Sequence, residues 1–349
     1  MRISEERLAS EARATQFRPD MLEKVIQLIG LLNGLRGHPF LGGRIALKGG
    51  TALNLFVFNV PRLSVDVDLN YIGAVDRETM LAERPDFERA IQDVCAREGL
   101  TVRRMPHEHG GGKWRLRYGS ATGQEGGLEL DVNFMLRVPL WPTTVLDSQP
   151  VGSYQARQVP VCEIHELLAG KLAALLARRQ ARDLFDVHRA LRLPDLDVER
   201  LRVAFVVYGA MQRRDWRTVS IGDVSFAPRD LEDELLPVLR TGDWPTGRDL
   251  EAHGARLVEE CREALGAVLP LADRERRFLD LLLDEGVVDP GVITADAGLQ
   301  EQIRLHPMLA WKALNVREYV QRARGEPESE PADRQRSSSA SLGQTAAHG

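Results

Sequence analysis

Polar and apolar residues alternate from Arg62 to Tyr71, so that Arg62, Ser64, Asp66, Asp68 and Asn70 share one face of a predicted strand while Leu63, Val65, Val67, Leu69 and Tyr71 share the other. The second is a core face; the first carries two neighbouring carboxylates. The pattern recurs over Gly127–Leu136, where Leu128, Leu130, Val132 and Phe134 oppose Glu129, Asp131 and Asn133. Upstream, the apolar run Ile45–Leu47 leads through Lys48 into Gly49-Gly50-Thr51 and the apolar-rich segment Ala52 to Val57, which reads as strand, glycine turn and helix start. Residues 1–17 are charged and helical in pattern. The period is also helical over 19–35, with Pro19 near the start and Leu22, Val25, Ile26, Ile29 and Leu32 on one stripe, and over Pro85–Gly99, with Phe87, Ile91 and Val94 inward and Gly99 closing. Short strands are expected near 100–105, 113–118 and 127–135.

Residues 139–160, with four prolines, read as a loop crossing into a helical half. A helical pattern runs from Cys162 to Leu193, placing Lys171, Leu175, Arg178 and Arg182 on one stripe beside an apolar flank of Leu168, Leu172 and Leu176. Leu201–Met211, Leu231–Arg240, Leu250–Leu269, Leu271–Asp284 and Thr294–Arg304 read as further helices. From about Gly325 the chain turns to Glu, Pro, Ser, Gln and Gly, too few apolar residues to offset the entropy of ordering, and a disordered tail is expected over 325–349.

Composition narrows the class. With 349 residues and a net charge of −5, the chain is long enough for one large domain or two moderate ones and does not advertise nucleic-acid binding, although an acidic average can hide a basic cleft. Three cysteines, Cys95, Cys162 and Cys261, stand far apart, which suits a reducing cytoplasm and argues against a zinc knuckle or disulfide frame. No signal peptide and no bilayer-length apolar run is apparent, so membrane and secretory readings drop out.

The candidate chemistry lies in the two alternating strands and the glycine turn. Carboxylates at i and i+2 project side by side and can hold hard cations such as Mg²⁺, which in turn neutralise nucleotide phosphates. The glycines let a phosphate approach free helix-start N–H groups, and Thr51 adds a hydroxyl. Because Lys48 precedes the glycines, this is not a P-loop. Gly-Gly-Thr alone is an ordinary turn and Asp-Val-Asp alone a wet strand face; their order, separated by one helix, favours the functional reading. Asp131 is the candidate third carboxylate, delivered from a neighbouring strand as the general base that must sit beside the metal activating the attacking hydroxyl, with a plain wet face as the alternative. The basic stripe could bring Lys171 and an arginine to a triphosphate, or be a solvated face. In Arg182-Asp183-Leu184-Phe185-Asp186, Asp183 reads as positioning and Asp186 as the residue for site contact. His107-Glu108-His109 before triglycine reads as a hairpin tip rather than a metal site, no further ligands standing nearby. Arg200, Arg202, Arg213, Arg214 and Arg217 surround Leu201–Met211 and could line a polyanion path, with Trp216 beside Arg217 as an aromatic platform, or be a plain solvated surface.

Leu47-Lys48-Gly49-Gly50-Thr51-Ala52-Leu53, Arg62-x-Ser64-x-Asp66-x-Asp68-Leu69, Lys171 with Arg178, and Arg182-Asp183-Leu184-Phe185-Asp186 together resemble the successive motifs of the AbiEii/AbiGii-type nucleotidyltransferase toxins, minimal relatives of the DNA polymerase β-like superfamily. The likeness extends over most of residues 20–195, with a weaker echo at His306-Pro307-Met308-Leu309-Ala310-Trp311-Lys312. It implies an α+β fold: N-terminal helices and a mixed-sheet nucleotidyltransferase core over 1–160, then a helical domain over 161–324 that completes the active site. It implies Mg²⁺-dependent transfer of a nucleoside monophosphate from a nucleoside triphosphate, two ions being expected. It further implies the toxin role in a type IV toxin–antitoxin or abortive-infection pair, in the cytoplasm, with an antitoxin that need not touch the toxin. Some relatives act on the 3′ end of tRNA, making an RNA acceptor, tRNA above all, the expected partner. On this resemblance Asp66, Asp68 and Asp131 hold metal, Lys171 and Asp186 complete the catalytic set, and Lys48, Gly49, Gly50, Thr51, Ser64, Arg178 and Arg182 bind nucleotide. Two rivals stand beside it: the same site acting on a protein or small molecule, and a non-catalytic nucleic-acid or partner-binding module on the same scaffold.

Overall fold

Seven strands form one mixed sheet in the computed structural model, which describes residues 3–105, 110–245 and 248–323. They are β1 (Ile45–Lys48), β2 (Asp66–Tyr71), β3 (Thr101–Arg104), β4 (Gly111–Gly119), β5 (Glu125–Asn133), β6 (Thr144–Leu146) and β7 (Val159–Val161), ordered β3-β4-β5-β2-β1-β7-β6. β2 runs parallel to β5 and β1 parallel to β7, while the other neighbours are antiparallel. The fold is α+β, as expected. Every second residue of β5 from Leu128 to Val132 is buried, which is what one-sided packing of an alternating strand requires.

Before and between the strands lie α1 (Glu5–Thr15), α2 (Pro19–Gly37), the single turn α3 (Gly49–Thr51) that runs on as a π-helix over Ala52–Val57, and α4 (Arg77–Arg97). The predicted stripe of α2 is buried, with Pro19 in its first turn. Tyr71 of β2, Phe87 of α4 and Phe134 just past β5 meet with ring centroids 5.3 to 5.6 Å apart, fixing α4 against the sheet. After the sheet come α5 (Ile164–Arg178), α6 (Ala181–Ala190) and α7 (Val198–Ala210), then helices at Arg248–Ala264, Asp273–Glu285, Ala297–Leu305 and Pro307–Ala323. One continuous apolar core joins these helices to the sheet.

Several expectations need correction. The strand expected from Arg62 begins at Asp66, because Val60 has a positive φ of 45° and the Leu63 N–H donates to the carbonyl of Val238, 2.8 Å away, instead of to a neighbouring strand. The helix expected from Pro85 starts eight residues earlier, at Arg77, where the Asp76 carboxylate accepts the Thr79 N–H; Pro85 lies within it. The loop expected over 139–160 contains β6 and the start of β7. The helical pattern of 162–193 is broken: Arg179 is left-handed, φ 59°, and ends α5. The helix expected over Leu231–Arg240 is a π turn, Leu231–Leu235, followed by a 3-10 turn, Leu236–Val238. The His107–His109 segment and the tail expected to be disordered lie outside the described residues.

Candidate active site

Register across four adjacent strands sets a row of charge. Lys113 on β4 stands opposite Asp131 on β5, Asp131 opposite Asp68 on β2, and Asp68 opposite Lys48 on β1. Neighbouring strands are about 4.8 Å apart, so two cations flank two anions on one face. In the adjoining row Asp66 is paired with Glu129, whose carboxylate holds the Lys113 ammonium at 2.9 Å. The alternation that puts Val67, Leu69, Leu130 and Val132 into the core thereby puts Asp66, Asp68 and Asp131 into one hollow.

Gly49 and Gly50 allow that hollow to form. Gly49 is left-handed, φ 75°, and a Cβ there would come 2.2 Å from the Asp68 Oδ2. A Cβ on Gly50 would stand 2.9 Å from the Ser64 hydroxyl and 3.0 Å from an Arg62 guanidinium nitrogen. The Thr51 hydroxyl, expected to meet phosphate, donates instead to the Asp66 carbonyl and is buried. It ties the turn to β2.

The α5–α6 break turns two acids back toward Lys171. The Lys171 side chain is buried along most of its length, and its ammonium sits 2.8 Å from Asp183 and 3.0 Å from Asp186. Asp186 also accepts from Arg62 at 2.8 and 2.6 Å and from the Asn54 amide at 2.9 Å, while that amide donates to the Gly50 carbonyl as well. Asp186 thus sits behind the site, binding the glycine turn, the segment before β2 and α5 into one unit. Asp183 lines the hollow and meets exposed Arg178 at 3.2 Å. The sequence assigned these two the opposite way, because their spacing does not reveal that α6 restarts with a new axis. Arg182 lines the hollow too and is paired with Glu234 at 3.1 Å.

Burial dominates the electrostatics of the acids in the hollow. Burial, then Asp68, pushes the Asp66 carboxyl above its ordinary range. Burial raises Asp131 as well; Lys48 pulls it back and Asp68 adds to the rise. Burial would also raise Asp186, but Arg62 and Lys171 outweigh it and hold that group at about 2. Among the described residues no three His, Cys, Asp or Glu side chains close on one point as a metal cage does. Asp66, Asp68 and Asp131 instead fit Mg²⁺, which takes one or two carboxylates and completes its shell with phosphate oxygens and water.

A second hollow adjoins the first, sharing Gly50, Asp68, Asp131, Lys171 and Arg178 with it. Lys48 and Gly49 line it, as do Glu166 and Tyr208. Burial pushes Glu166 up to about 7 although the Trp141 N–H and Tyr208 hydroxyl donate to it. Nothing in the sequence marks Glu166, Tyr208 or Gln212 as part of a site, since the first two are helical residues that look alike facing a cavity or a core and the third lies in an ordinary turn. Lys113 was legible only as the polar start of an alternating strand.

A family model described as nucleotidyl transferase AbiEii toxin, type IV TA system, matches residues 31–258. Among solved structures, MenT4, a nucleotidyltransferase toxin from Mycobacterium tuberculosis H37Rv, is similar in fold over 89% of this chain and 99% of its own, with a TM-score of 0.56 and 19% sequence identity. Among curated proteins no match is found.

Proposed function

The chain belongs to the AbiEii family of nucleotidyltransferase toxins of type IV toxin–antitoxin systems, and from that premise we propose that it transfers a nucleoside monophosphate from a nucleoside triphosphate to the 3′ hydroxyl of an RNA, tRNA before others. The observation that carries this reading is the convergence of Asp66, Asp68 and Asp131 with Gly50, Lys171 and Arg178 on one hollow. Asp66 and Asp68 would hold Mg²⁺, with Asp131 joining them; the bound ions would offset charge on the triphosphate and the attacking oxygen. Gly49 and Gly50 bring backbone close to where phosphates would lie, with Lys48 and Ser64 beside them. Asp131, on the strand beside Asp68, would take the proton of the acceptor hydroxyl. Lys171 and Arg178 face the departing pyrophosphate; Arg178, exposed, can turn toward it, whereas buried Lys171 is held in place by Asp183 and Asp186. Asp186 is a positioning residue, and Arg182 borders the entrance.

Among the described residues no helix is long and apolar enough to cross a membrane. A cytoplasmic setting suits a triphosphate donor and a tRNA acceptor, growth arrest during phage infection suits the toxin role, and the antitoxin need not touch the chain. The test is to offer each α-labelled triphosphate in turn, with Mg²⁺, to total RNA, purified tRNA, cell protein and small molecules. Label is expected in RNA, concentrated in tRNA. Label in protein or small molecules alone contradicts the acceptor, and the absence of label from every pool contradicts the activity.

A further inference from the structure

The two hollows do not end at the carboxylates. Leu136, Tyr208 and Gln212 are shared between the second hollow and an open groove beyond it, so the groove adjoins the second hollow on the side away from the first. The groove's near wall is the turn after α7, carrying Gln212 and Arg213; its far wall is the helix Pro307–Ala323, carrying Met308 and Trp311. The Lys312 ammonium donates to the Gln212 carbonyl at 2.7 Å, which clamps the two walls together.

The lining has an unusual chemistry for this acidic chain. Arg179, Arg213 and Arg214 line the groove and no carboxylate does, although Arg179 and Arg214 are both paired with Asp223, at 3.6 and 2.9 Å. Arg213 is exposed and makes no ion pair among the described residues. Trp311 has 52% of its surface exposed, whereas Trp114 and Trp216 are buried and Trp141 and Trp244 half-buried. The half-exposed indole of Trp311 and the guanidinium of Arg213 thus offer a flat apolar face and a cation on the lining of one groove. Single-stranded nucleic acid answers both features, since bases stack on aromatic faces while arginines follow the phosphates, with no base-edge code needed. A triphosphate fits less well here, because its metal-binding carboxylates and glycine turn line the two hollows and not the groove.

We propose that this groove seats the single-stranded 3′ end of the RNA acceptor, a nucleobase stacked on Trp311 and the backbone met by Arg213, so that the terminal hydroxyl is led past Tyr208 to Asp131. The inference rests on the RNA-acceptor reading above. In steady-state transfer by the full chain, Trp311→Ala and Arg213→Ala each raise KM for RNA by about tenfold, with KM for the triphosphate unchanged, and Trp311→Phe restores KM for RNA. A short single-stranded RNA quenches tryptophan fluorescence of the wild type, and Trp311→Phe removes the quenching. Unchanged KM for RNA in both alanine variants overturns the groove while leaving RNA as the acceptor. A wild-type protein that labels no RNA overturns the reading beneath it and the groove with it.

Discussion

Asp186 is fully buried and still ionised, because the Arg62 guanidinium and Lys171 ammonium both reach it. Removing one member of such a cluster leaves the others buried without compensation, which costs about 3–5 kcal/mol. Asp186→Ala is therefore expected to lose roughly that much stability in urea unfolding, whereas Asp183→Asn, at the hollow's edge beside exposed Arg178, loses less and mainly impairs transfer. The pH dependence follows from the same contacts. The folded Asp186 carboxyl titrates below its ordinary value of 3.8, so its stabilisation is complete above that pH and fades as pH falls toward about 2. Acid unfolding of the Asp186→Asn variant should lack this limb. The sequence could name Asp186 but not its job, since the three partners lie on separate elements: Asn54, Arg62 and Lys171.

At the level of elements, the strand, turn and helix start over residues 45–57 work as one device. The left-handed Gly49 backbone sets the turn, and the space that a side chain would occupy belongs to Asp68. Gly49→Ala is expected to push Asp68 out of its row and to abolish transfer, while circular dichroism shows the helices and sheet intact; a variant that transfers normally would refute this role for the glycine. The alternation of β2 and β5, the stripe of α2 and the glycine turn were legible because each is a local period imposed by burial on one side. The start of β2 and the break after α5 were not. Leu63 bonds to Val238, 175 positions away by number, and the left-handed Arg179 serves contacts made by Asp183 and Asp186, so neither boundary is written in its own segment.

Across the whole molecule, charges that look alike in the sequence have different fates. Arg202, Arg214 and Arg217 of the suspected basic patch are spent on Glu275, Asp223 and a trio of Asp215, Asp280 and Asp284, while Arg200 lies over Trp141 and meets Glu163. Trp216, taken for an aromatic among those arginines, is in the core. Arg202→Ala should thus leave RNA affinity unchanged and instead cost a few kcal/mol of stability, about 3 by the usual measure of a broken buried pair, because Glu275 is left buried; titration with labelled tRNA and urea unfolding separate the two effects. Likewise, no single segment predicts that Lys113, Asp131, Asp68 and Lys48 stand in one row, since that depends on how four strands register. The row is the centre of the proposed chemistry, and Asp66→Asn tests it most directly, measured as transfer of α-labelled nucleotide to purified tRNA in Mg²⁺ beside thermal unfolding without the metal. Loss of transfer with an unchanged or raised melting temperature is expected, since the substitution removes a charge that burial and Asp68 disfavour; transfer at the wild-type rate would contradict the assignment of the site.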